Sequence, residues 1–353
     1  MEQYDISSEA DIIAAVQEAL ANVTPLAVEG QGTKRHIGCE CMASHAIRLA
    51  GHSGITTYEP RELYITAKAG TPLAEIADAL NTHNQMLAFE PPFGDGTIGG
   101  LVMAGLAGPR RVSAGSVRDH ILGLRAVSGR GELFQAGGTV VKNVTGYDLP
   151  KLMVGSWGTL AVLSEVTLKV LPAPKLTHTL IWQQTDRAKG LAFLRKVWRS
   201  VYEPTGLRYD NGQCLVRLEG MDASLKERAD ALQAEFGVAD QIMETPWENT
   251  QASGLYWRMT IQPDEAAAFA DQVGGDLVFD WAGGLVHATG AFDQSGALNW
   301  LQSHGGGLVV MGGGARPASP INPSLRLIHQ RLKEQFDPLG ILNPGRLQPE
   351  LGL

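Results

Sequence analysis

The chain has 353 residues, 44% hydrophobic and 19% charged, the composition of an ordinary soluble globular protein with room for two domains. A net charge of −8 argues against the basic face that a nucleic-acid backbone requires. Three cysteines (Cys39, Cys41, Cys214) fit neither a disulfide framework nor a four-ligand zinc site, and are expected as reduced thiols.

No secretory signal is expected in MEQYDISSEADIIAAV, which lacks a basic segment followed by an apolar core. A helix is predicted over 8–22, capped by Ser8, with Ile12, Ile13, Val16, Ala19 and Leu20 at helical spacing. Residues 25–29 read as a short strand running into Gly30-Gln31-Gly32-Thr33-Lys34. A strand over 63–69 precedes a helix over 72–83, with Thr71 as cap, Pro72 first and Glu75 closing a capping box. Residues 117–136 predict two strands joined at 128–131, residues 148–153 a short helix, and residues 158–171 a long strand pair. The least polar stretch, 152–163, falls well short of the roughly 20 residues that span a bilayer.

After Pro172-Ala173-Pro174 glycine thins out. Strand-like runs (177–183, 213–219, 255–262, 277–281, 284–290) alternate with helix-like runs (186–200, 223–236, 264–272, 296–303), which predicts a small sheet with helices on one face. A Gly/Pro-rich loop at 312–323 leads to an amphipathic helix over 324–336, and the closing DPLGILNPGRL is expected to return to the first domain. The expected division is 1–174, 175–315 and 316–353.

The 42 glycines cluster in 30–38, 94–115 and 305–314, where a backbone would approach a large charged cofactor. The Gly30-x-Gly32 pair fails the dinucleotide fingerprint, because position 35 is Arg and no helix is predicted there. No Walker A loop is present. Tight turns alone account poorly for two such loops followed by Lys142-Asn143-Val144-Thr145-Gly146-Tyr147-Asp148 and Asn343-Pro344-Gly345.

Together these segments resemble the FAD-binding fold shared by vanillyl-alcohol oxidase and p-cresol methylhydroxylase, over residues 1–172 and the tail from about 322. The implied fold is α+β: a two-part FAD-binding domain with an α+β cap domain. By that resemblance Gly30, Gln31, Gly32, Thr33 and Lys34 form a pyrophosphate loop, and Thr97, Ile98, Gly99 and Gly100 a second loop. Gly115, Ser116, Arg118 and Asp119 belong to a segment beside the flavin. Gly155, Gly158 and Thr159 form a turn before a strand whose backbone, at Val162, meets the adenine. Within the fold, GLAGPRRVSAGSVRDHILG and KNVTGYDLPKLMVGSWGTL resemble the FAD-binding subunits of bacterial glycolate oxidase (glycolate dehydrogenase) complexes. That implies non-covalent FAD, a second flavin subunit and an iron–sulfur subunit. Glycolate would be oxidised to glyoxylate, with electrons passed to a membrane acceptor. The implied location is cytoplasmic, at the inner face of the cell membrane through partners.

The histidine pair and acidic residue that bind a divalent metal in 2-hydroxy-acid dehydrogenases of this fold have no match here, so no metal is expected. His120, next to Arg118-Asp119, is a candidate for a functional contact, against packing. His304 is a weaker candidate. For Arg110 and Arg111, a fork on a pyrophosphate or substrate carboxylate competes with a solvated surface pair. Arg118 is read as cofactor-related or paired with Asp119, and Tyr147 as stacking on the cofactor or packing in the core. The Asn343 amide suits the alternating edge of a flavin or, alternatively, a turn before Pro344. Three functions follow: a flavin subunit that relays electrons, a self-sufficient FAD-dependent 2-hydroxy-acid dehydrogenase, or a flavin-inert assembly subunit.

Overall fold

The computed structural model describes residues 2–92, 94–139, 147–247, 256–312 and 317–349. The chain forms two compact units. The first comprises Met1–Ala107, Ser116–Pro172 and Pro323–Leu353, and the second Gly108–Gly115 and Ala173–Asn322. The return of the C-terminal segment to the first unit therefore begins at 323. One segment departs from the expected division: 108–115, the end of the glycine-rich run, belongs to the second unit.

In the first unit, strands Glu2–Asp5, His45–Arg48 and Leu26–Glu29 form a parallel sheet with His45–Arg48 in the middle. The tail extends it. The Leu26 N–H donates to Ile341 O (2.7 Å) and the Asn343 N–H to Leu26 O (2.8 Å), which makes a parallel bridge at Leu342. Helix Glu9–Asn22 forms where Ser8 and Asp11 cap each other, and it buries Ile12, Ala15, Val16 and Ala19.

A five-stranded antiparallel sheet runs in the order Ile55–Glu59, Tyr64–Lys68, Ala161–Lys169, Ile121–Ser128, Leu133–Gly137. The span 158–171 is thus one nine-residue central strand followed by the two-residue Leu171–Pro172, rather than a strand pair. A strand buried on both faces reads as a near-continuous apolar run, which imitates two shorter strands. The capping box at Thr71 does not form. Its hydroxyl donates to Lys68 O (2.7 Å) and accepts from the Gly54 N–H (2.9 Å), so helix Leu73–Asn81 starts from Pro72 without a side-chain cap. Helix Ile98–Ala104 lies inside the glycine run. Thr97 caps it, Gly105 (φ 64°) ends it, and nearly every residue is buried, so it has no amphipathic period to read.

In the second unit an eight-stranded, all-antiparallel sheet runs Gln241–Met243, Leu176–Gln183, Gln213–Gly220, Gly206–Asp210, Asp276–Asp280, Leu285–Thr289, Tyr256–Thr260, Gly307–Met311. Helices Arg187–Trp198, Asp222–Phe236, Ala266–Val273 and Gln294–His304 pack against alternate strand residues, among them Leu207, Val216, Met259 and Phe279. All of them therefore cover one face. The sheet is larger than expected because Gly206–Asp210, Gln241–Met243 and Gly307–Met311 gave no strand signal. The first places a buried arginine where an apolar residue would mark the strand.

Candidate cofactor-binding site

The loop that follows strand Leu26–Glu29 is built to leave donors open. The Arg35 guanidinium turns back onto the Glu29 carboxylate (Nε to Oε1 2.7 Å), and Gly32 takes φ +75°, a conformation that favours glycine. Among the described residues, the amides of Gln31, Gly32, Thr33 and Lys34 make no hydrogen bond. Successive free N–H groups around a left-handed glycine form a concavity for an anion. Burial pulls the Lys34 ammonium below its usual pKa, with the charge of Asp95 opposing it.

The second predicted loop meets the first. A Cβ on Gly30 would collide with the Thr97 hydroxyl, and one on Gly96 would lie 2.6 Å from Thr33 Oγ1 and 3.0 Å from Lys34 Nζ. The amides of the second loop are already engaged. Ile98 N–H donates to Thr71 O (2.9 Å), Gly99 N–H to Ala69 O (2.9 Å) and Gly100 N–H to Thr97 Oγ1 (3.2 Å). Thr97–Gly100 thus shapes the cradle, while residues 31–34 supply its open donors.

The turn at 155–159 is a run of left-handed positions: Gly155 (φ 82°), Trp157 (φ 54°) and Gly158 (φ 72°). Trp157 N–H donates to Met103 O (2.9 Å), which holds the turn to the end of helix Ile98–Ala104. The tail braces the other side. Asn343 Oδ1 accepts the Val28 N–H (2.7 Å) and Asn343 Nδ2 donates to Trp157 O (2.6 Å). The amide expected at a flavin edge instead ties the turn to the strand that feeds the nest. The Arg346 guanidinium stacks over the Trp157 ring (5.3 Å) and donates to the carbonyls of Lys34, Arg35 and Cys39. Lys333, buried, donates to Thr159 O (2.8 Å). Sequence reasoning passed over Lys333, Asp337 and Arg346, since a charged residue on an amphipathic helix or in a tail reads as solvated.

The remaining candidates scatter. Ser116 and Asp119 cap the turn Val117–His120, with Ser116 N–H and Oγ donating to Asp119 Oδ2 (2.8 and 2.9 Å), and the Arg118 side chain is exposed. His120 is buried beside Phe89 (ring centroids 5.5 Å apart). Val162 is fully buried in the core and pairs with Val127 within the sheet. Tyr147 is exposed rather than packed, and Lys142–Gly146 lies outside the described residues. None of the three cysteines forms a disulfide, and burial pushes Cys41 up to about 11 and Cys214 up to about 12.

Gly115 and Arg110 fall in the segment held by the second unit. Arg110 sets its fork on Glu219 (2.8 and 2.7 Å), Trp281 Nε1 donates to Gly108 O (3.0 Å), and Trp198 Nε1 donates to Val112 O (3.2 Å). Arg110 is ion-paired, and Arg111, exposed as a surface arginine would be, stacks over Trp281 (4.7 Å). The strand face away from the helices carries further charge. Arg208 forks onto Asp280 (2.9 and 3.0 Å), and His287 Nε2 lies 3.3 Å from the same carboxylate. Arg258 lies opposite His287, and Arg208 and Arg217 both flank Trp247 at 5.3 Å. Burial works against the Glu219 carboxylate, but the Arg110 hydrogen bonds and the Arg217 charge outweigh it and hold the pKa below 4.5. Asp280 is likewise held low by Arg208 and His287 against its burial. Burial brings Arg258 down to about 10 and His287 below 6.5. His304 stacks on Trp300 (4.0 Å) at the end of its helix. Among the described residues no His/Cys/Asp/Glu cluster suits a metal ion, and no helix is long and apolar enough to cross a membrane.

An open amide nest, a glycine-lined cradle and a braced turn make up the candidate cofactor site of the first unit. A family model described as FAD binding domain matches residues 5–137. The solved structure of an alkyldihydroxyacetonephosphate synthase superposes with a TM-score of 0.69 at 15% identity, covering 97% of this chain and 75% of that one, which shows a shared fold. Over 345 residues the chain is 36% identical to the glycolate oxidase subunit GlcE of Escherichia coli K12, covering 96% of this chain and 97% of the relative. A D-lactate dehydrogenase of Anaerostipes hadrus is 32% identical over 180 residues, covering 50% of this chain and 38% of the relative. The chain belongs to the family of the glycolate oxidase subunit GlcE.

Proposed function

We propose that this chain is the FAD-binding subunit of a complex that oxidises glycolate to glyoxylate, and that it relays electrons rather than holding the main substrate site. The observation that carries the cofactor assignment is the nest of free amides at 31–34, closed by Gly30, Gly96 and Thr97. These groups suit a pyrophosphate, with the Thr33 hydroxyl and the Lys34 ammonium as further donors. Gly155, Gly158 and Thr159 line the second wall. FAD, when bound, supplies the two-electron acceptor of 2-hydroxy-acid oxidation and the means of passing electrons onward. In this reading the FAD is held non-covalently. The partners are a second flavin subunit and an iron–sulfur subunit, which would also bring the chain to the inner face of the cell membrane.

The relay role draws support from Arg110. The guanidinium best placed in sequence to hold a substrate carboxylate is committed to Glu219 through both ends of its fork. A second reading, turnover of a 2-hydroxy acid by this chain alone, is favoured by the charge of the same unit. Arg208, Arg217 and Arg258 lie on the polar strand face, where Arg110 joins them through Glu219. The visible spectrum of the purified chain under anaerobic glycolate separates the two. The relay reading expects a flavin band that glycolate leaves unchanged and dithionite bleaches. Bleaching by glycolate would replace it with the second reading, and absence of a flavin band after FAD addition would leave an assembly subunit.

A further inference from the structure

A second feature of the first unit has no role in that reading. Lys333 and Asp337 sit one turn apart at the end of helix Pro323–Phe336, both buried, with Nζ to Oδ2 2.8 Å. The three donors of the ammonium are all used: Asp337, Thr159 O (2.8 Å) and Leu342 O (2.9 Å). The carboxylate in turn accepts the N–H groups of Ile341 (3.1 Å) and Leu342 (2.7 Å). Stability does not explain such a pair, because well-packed apolar residues at buried ion-pair sites are often as stable or more so. The pair does fix where three backbone segments lie relative to one another.

The consequences follow the chain. Residues 341–343 are pinned beside Leu26, which sets the Asn343 amide on Val28 N–H and Trp157 O. Three residues later Arg346 holds the carbonyls of Lys34, Arg35 and Cys39. Both walls of the cofactor cradle, the nest at 31–34 and the turn at 155–159, hang from the tail that Lys333 and Asp337 anchor.

We infer that Lys333 and Asp337 are positioning residues for the cofactor: a clasp through which the C-terminal segment sets FAD affinity. The inference rests on the FAD assignment above. Its test is the titration of apoprotein with FAD, read by flavin fluorescence and by the visible circular dichroism of the bound flavin. Lys333→Met leaves a buried carboxylate unpaired and risks the fold, so Lys333→Met/Asp337→Asn, which buries no charge, is the second variant. The double variant is expected to bind FAD about tenfold or more weakly, as displaced binding groups do, with native far-ultraviolet dichroism. Asp280→Asn is the matched control. It breaks a buried ion pair in the other unit, and FAD affinity should stay within about twofold despite a lower melting temperature. Unchanged affinity in the double variant, or equal weakening by Asp280→Asn, overturns the clasp and leaves the cofactor assignment standing. Wild-type apoprotein that takes up no FAD removes both.

Discussion

Apart from the Lys333–Asp337 pair, the two units use these polar groups in different ways. In the first, side chains serve the backbone: Asn343, Lys333 and Arg346 satisfy carbonyls and amides of irregular loops, which stay in place while the 31–34 donors remain open. In the second, side chains serve one another: Arg110 with Glu219, and Arg208 with Asp280 and His287, on the strand face away from the helices. A loop that must keep amides free cannot use them to hold its own shape, so the surrounding side chains hold it. A regular sheet needs no such help, and its charges are free to pair.

The largest effect should come from breaking a pair in the second unit. Asp280→Ala leaves Arg208 buried without its counter-ion and should cost about 3–5 kcal/mol. Trp182, Trp198, Trp247, Trp257, Trp281 and Trp300 all lie in that unit, so tryptophan fluorescence during urea unfolding reads it directly. Gly30→Ala tests the cradle. The methyl group meets the Thr97 hydroxyl, which should cost up to about 3 kcal/mol of overpacking and abolish FAD uptake. Thr97→Ala in the same chain should restore part of that uptake in an equilibrium titration. Asn343→Ala orphans the Val28 N–H and the Trp157 carbonyl, for a loss of about 2 kcal/mol. Asn343→Asp, which keeps the acceptor for Val28, should lose less; equal losses would remove Val28 from the account.

Acid should weaken the second unit in two stages. His287 binds its proton more weakly when folded than its ordinary 6.5, so the unfolded chain takes up more protons below that pH and stability falls. Glu219 and Asp280, held below 4.5 and 3.8, contribute stability that is present above those values and lost as pH falls through their folded values. Calorimetry from about pH 7.5 down to about pH 2 should show both stages. His287→Gln should remove the upper one alone; a profile unchanged by that variant would assign the upper stage elsewhere.

Much was legible from the sequence because it depended on local chemistry. Ser8 marks a helix start, and glycine at 30, 32, 155 and 158 marks backbone that approaches other groups closely or turns left-handed. Apolar alternation gave most strands of the second unit. What the sequence left open shares a cause: a residue's partner lay far along the chain. Thr71 had a cap to offer but a loop 17 residues away took its hydroxyl. Asn343 had the right amide for a flavin edge but meets Val28, 315 residues away. Arg110 stands in a cofactor-like run, and Glu219 holds it 109 residues on.

By itself the sequence determined where glycine lets the backbone turn left-handed or approach closely, the helix start at Ser8 and most strands of the second unit, since these follow from φ preferences, capping and periodicity. Only the tertiary structure decided which amides stay open, which guanidiniums are spent in ion pairs, and that segment 108–115 belongs with the second unit. Those outcomes depend on which groups meet after folding, and a hydrogen-bonding group takes the partner that the packed chain brings within reach.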